Sequence, residues 1–273
     1  MFETVAQAFE EKPGYIYNEN EELRRSQRLL AGLVGAVALL LPASLILLGE
    51  GLTEGRTSIS SYYYEGILLG DVFVGGLFLV GGLMLTYRGN SDLASLLATI
   101  GGVLAMLVAG FPTSGWSRCA TLFKKHAAHD CDASTGSPWF WEGTAHFIHI
   151  MSAISLFVVL ALFCYFVFLK PRKRKAFDGH VEDNSGDSSK KRRNVIYWVC
   201  FAVLISAMAA MALSQIESIG LPEDTIFWGE SAGLIAFGVA WLTHSRFFFV
   251  RFLSDKDDPI YWGGKSADAT GLA

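Results

Sequence analysis

The sequence predicts an all-α fold, a polytopic membrane bundle of six transmembrane helices with its N and C termini in the cytoplasm. Three observations carry that prediction. Apolar residues make up 52% of the 273-residue chain and charged residues only 18%, a balance that a soluble domain of this length does not show. The apolar residues fall in six long runs, each near the ~20 residues that cross a bilayer. Lysine and arginine gather beside alternate ends of those runs, which orients the spans. No run alternates with period two, which argues against a transmembrane barrel.

Residues 1–28 read as a polar cytoplasmic tail, part of it suited to a short surface helix. They hold no apolar stretch of signal-peptide type, so the first span is expected to stay as an anchor. That span is 29–49 and contains Pro42, which removes one backbone donor and which neighbouring helices tolerate. The second span is 66–87, and the third, 93–111, is stopped by Pro112. The fourth span is 142–169, the fifth 195–215 and the sixth 226–248. The 29–169 block therefore carries four helices and two external loops. A cytoplasmic linker (170–194) follows, then two more helices (195–248) and a cytoplasmic tail (249–273).

The basic bias is strong. Arg24, Arg25, Arg28, Arg88, the runs 170–175 and 190–193, Arg246 and Arg251 lie on one side, against Arg56, Arg118, Lys124 and Lys125 on the other. The linker centre, 178–187, is acidic between two basic clusters. Those clusters set topology and suit anionic lipid headgroups. Membrane lipids are thus expected partners, and no nucleic acid is. Glycines crowd span two (Gly66, Gly70, Gly75, Gly76, Gly81, Gly82), span three (Gly101, Gly102) and span six (Gly229, Gly233, Gly238). Small residues let backbones approach. They suit tight packing within the bundle and, as a second use, a homo-oligomer.

Of the four cysteines, Cys119 and Cys131 share the second external loop, where an oxidising compartment would join them in a disulfide. Cys164 and Cys200 fall in apolar runs and read as small buried side chains. Aromatic residues, including Tyr62, Tyr63, Tyr64, Trp116, Trp139, Trp141 and Trp228, gather at the external boundary, and Tyr87, Tyr197 and Trp198 at the inner one, as an interfacial belt does.

The ionisable groups inside the spans are the functional signal, because such groups are expensive in lipid. Asp71 starts span two, and Glu142, His146 and His149 start span four on one helical face. Ser214, Gln215 and Glu217 end span five, and Glu230 and Ser231 start span six. All lie toward the external ends. The expectation is one outward-facing polar pocket for a small molecule, a lipid headgroup or a divalent metal such as zinc, built from Asp71, Glu142, His146, His149, Glu217 and Glu230. No cofactor is required by any motif. HExxH, Gly-x-Ser-x-Gly and P-loop patterns are all missing. His126, His129 and Asp130 form a weaker loop cluster. Three further readings stay open: a metal-dependent intramembrane hydrolase, in which a metal-bound water attacks an ester or amide, a proton-coupled small-molecule transporter using the same His and Glu groups, and a non-catalytic membrane scaffold.

The segments Ser58-Ile59-Ser60-Ser61-Tyr62-Tyr63, Gly70-Asp71-Val72-Phe73-Val74-Gly75, Phe111-Pro112-Thr113, His149-x-x-Ser152-Ala153 and 236–242 (Ala-Phe-Gly-Val-Ala-Trp-Leu) resemble those of a family of bacterial six-span inner-membrane proteins with no assigned activity. The resemblance covers nearly all the spans and implies the inner (plasma) membrane. A looser likeness is to the ceramidase and progestin-receptor-like hydrolases, which set an Asp, a Ser and three His around zinc in seven helices. Asp71, His146 and His149 compare with part of that set. The third histidine is missing, since His244 belongs to the opposite face, and the helix count differs.

Overall fold

The computed structural model describes residues 13–49, 58–64, 66–89, 91–111, 142–169, 174–175, 181–182 and 188–246. Among these, six helices are long and apolar enough to cross a membrane. They are α1 (Pro13–Gly49), α2 (Gly66–Thr86), α3 (Asp92–Gly110), α4 (Glu142–Leu162), α5 (Ser188–Leu213) and α6 (Thr225–Ser245). The chain is a multi-pass, six-helix membrane bundle. Each helix packs on the next in sequence, and α6 returns to pack on α1, so the six form a closed up-and-down ring.

The span boundaries fall within a few residues of expectation at four of the six helices. The exceptions are α1 and α5, which begin well before their apolar runs. The 37-residue α1 starts at Pro13, where a missing N–H costs nothing in the first turn. The polar stretch 18–28 contains good helix formers and simply continues the membrane helix on its aqueous side. Ser91 caps α3, its hydroxyl accepting from the Ala94 N–H at 3.2 Å, in the expected N-cap manner. Within the linker, β1 (Arg174–Lys175) and β2 (Val181–Glu182) form a two-rung antiparallel ladder, with Arg174 opposite Glu182.

Two glycine contacts set how closely the ring closes. At the α1–α6 crossing, a Cβ on Gly238 would lie 2.8 Å from the Leu39 backbone nitrogen and 2.9 Å from the Gly35 carbonyl oxygen. At the α2–α3 crossing, a Cβ on Gly102 would lie 2.7 Å from the Gly81 carbonyl oxygen. Backbones touch there because nothing stands between them, which is the packing that small residues permit in lipid.

Ala38, Leu77, Met84, Ala105, Leu160 and Phe237 are among the wholly apolar side chains around a central void of about 10 Å³. A space that small, without polar partners, does not hold water.

Candidate functional site

The bundle has an acid-rich end, where α1 finishes and α6 starts, and a basic end, where α1 enters and α6 finishes. The acid-rich end is built around Glu230. A six-residue 3-10 segment (Ile59–Tyr64) lies between α1 and α2 and packs on α2, α6 and α1. The half-buried Glu230, on the second turn of α6, accepts hydrogen bonds at Oε2 from the Ser58 hydroxyl at 2.8 Å and the Ile59 N–H at 2.6 Å. The Ser58 Oγ also accepts from the Ser60 N–H at 3.0 Å and lies 2.6 Å from the Ser60 hydroxyl oxygen. The Ser61 hydroxyl donates to the Ser58 carbonyl at 2.6 Å. The serines thus close a network in which each bond polarises the next, and a carboxylate terminates it.

Tyr62 follows from the same turn. It is fully buried, with its ring against Gly49, where a Cβ would lie 2.7 Å from the Tyr62 hydroxyl, and near Phe227, at a centroid distance of 6.4 Å. Loop and helix are therefore joined by a directional bond at Glu230 and by an aromatic wedge beside it.

His149 makes the second long-range polar contact. It is 1% exposed, and its Nδ1 donates to the Phe111 carbonyl at 2.7 Å. Phe111 is the C-cap of α3, and a helix leaves its last carbonyls without intrahelical partners. The imidazole fills one of those vacancies and ties α4 to α3. That acceptor fixes the proton on Nδ1.

Two further residues singled out from sequence reach the surface. Asp71 is exposed on α2, and Glu217 is exposed in the short 3-10 turn Glu217–Ile219 between α5 and α6. His146 is half-buried one turn before His149. Glu142 opens α4, and its side chain lies outside the described residues. Cys119 and Cys131, His126, His129 and Asp130 also lie outside them. Among the described residues, no group of three or more His, Cys, Asp or Glu side chains converges in a way that could hold a metal ion. The expected metal-ligand set therefore finds no support.

Sequence reasoning missed the polar-aromatic cluster at the basic end. The Tyr87 hydroxyl and the His244 Nε2 are 3.1 Å apart. Phe168 lies over His244, at a centroid distance of 4.8 Å, and stacks on Tyr197 at 5.1 Å. Trp241 is fully buried between Tyr87, at 4.9 Å, and Phe163, at 5.0 Å. The signal for it in the sequence was the inner-boundary pair Tyr87 and Tyr197, which reads equally as interfacial belt. Cys164 and Cys200 are buried free thiols, as their apolar surroundings suggested.

No protein-family model matches this chain, and no curated protein or solved structure is detectably similar to it.

Proposed function

We propose that the protein is a non-catalytic helical scaffold of a bacterial inner membrane, with its acid-rich end outward as the positive-charge bias requires. The observation that carries this reading is the Glu230 carboxylate. Its bonds to Ser58 and Ile59 spend on fastening an external segment a group that a binding or catalytic site would leave free for substrate. His149 supports the same reading, since its Nδ1 proton is committed to the Phe111 carbonyl. The void between the described helices is lined by apolar side chains alone, which counts against proton-coupled transport through it. Zinc hydrolysis would need a third ligand near His146 and His149, and none is found among the described residues.

The test is metal analysis of the purified full-length protein beside His146→Ala and His149→Ala. Equal, near-zero metal in all three is the expected result. One equivalent of zinc in the wild type, lost in both variants, would overturn the scaffold reading in favour of a metal site. Solute uptake into proteoliposomes driven by a pH gradient would overturn it in favour of transport.

A further inference from the structure

The fourth span changes register before it ends. Residues Phe163–Leu169 continue α4 as a π-helix. A π-helix bonds i→i+5, is rare, and is found mostly as a single turn at functional positions. Phe163 and Phe168 are five residues apart. On an α-helix they would leave the axis about 140° apart. The i→i+5 register instead brings residues five apart toward one face, and the two ring centroids are 5.2 Å from each other. Together they close on Trp241, at 5.0 and 5.9 Å, and Phe168 also covers His244 and Tyr197. Tyr165, between them, is 41% exposed and packs sideways against Phe166, Trp198 and Phe201. The segment therefore holds one residue more than an α-helix would need to present the same two rings, and the outward-facing Tyr165 is the member the core can spare.

We propose that the basic end of α4 is a register switch. In the π state seen here, Phe168 is seated on His244 and Tyr197. In an α state the same ring swings off them and uncovers the imidazole that Tyr87 meets. The aromatic stack holds the π state against its backbone cost. This device stands apart from the scaffold reading, because none of its residues belongs to the acid-rich end.

The switch is tested on the full-length protein in lipid nanodiscs, with 4-fluorophenylalanine in place of Phe168 and ¹⁹F NMR as the readout. The wild type gives two signals in slow exchange, the minor one at about 5%, within the usual range for a minor state. Phe163→Ala removes the stacking partner and enlarges the minor signal several-fold. Deletion of Tyr165 leaves Phe163 and Phe168 four apart, the spacing an α-helix stacks, and collapses the spectrum to one signal. A single wild-type signal that Phe163→Ala leaves undivided would overturn the proposal. So would two signals that persist after the deletion, since the heterogeneity would then not come from register. If the deletion variant fails to fold, the Phe163→Ala spectrum alone decides.

Discussion

The two ends of this bundle are held by different physics. At the acid-rich end, Glu230 reaches Ser58 and Ile59, and His149 reaches Phe111, through short directional bonds between elements far apart in sequence. At the basic end, Tyr87, Phe163, Phe168, Tyr197, Trp241 and His244 pack ring against ring. The difference follows from what each end must hold. A six-residue segment buries too little surface to stay by packing alone, so a carboxylate and a hydroxyl network fix its place. Six helix ends need contact area, and in lipid that area acts through dispersion rather than through release of water. Polar bonds should therefore govern a local element, and the rings the whole bundle.

The largest test of this contrast is Trp241→Ala. Trp241 has no exposed surface and touches five other rings, so truncation leaves a cavity that rigid neighbours cannot fill. The expected cost is about 3–5 kcal/mol, read as a lower midpoint in a denaturant titration of the protein in mixed micelles. A cost under about 1 kcal/mol would mean that the helices, not the rings, close this end. Glu230→Ala comes next. It strands the buried Ile59 N–H, at about 1–3 kcal/mol for a buried donor left unsatisfied. The effect should stay local: amide exchange at 59–61 quickens by about ten- to a hundredfold, at 1.4 kcal/mol per decade, while the global midpoint hardly moves. A midpoint shift as large as that of Trp241→Ala would erase the distinction between the ends.

How much of this was legible in the sequence divides along the same line. Span number and most span ends follow from apolar length, because a bilayer imposes it and no tertiary contact can override it. That Glu230, His149 and Asp71 lie toward one end follows from counting along the helices. Their convergence did not follow, because direction around each axis depends on the order of helices in the ring. Helices that are apolar nearly all round carry little periodic signal of that order. Glu230 illustrates the limit: its partners lie 172 and 171 residues earlier, and only the return of α6 to α1 brings them near. The glycines were read correctly as close-packing positions at Gly81, Gly102 and Gly238, whereas Gly75 faces open space. The π segment left no trace in composition, since α and π registers use the same apolar residues and differ only in which rings meet.

The finest test asks whether the Tyr87–His244 contact matters to the basic end at all. Tyr87→Phe removes the hydroxyl 3.1 Å from His244 and keeps the ring that meets Trp241 edge-on at 4.9 Å. If packing dominates, the loss should be about 0.6 kcal/mol, the average found for side-chain hydrogen bonds in a membrane interior. A double-mutant cycle with His244→Ala isolates the pair from the packing that each ring makes elsewhere. A coupling of that size leaves the rings in charge. A coupling near 2 kcal/mol would put the basic end on the same directional footing as Glu230, because a hydroxyl and an imidazole held that strongly would fix the positions of α2 and α6 without help from Trp241.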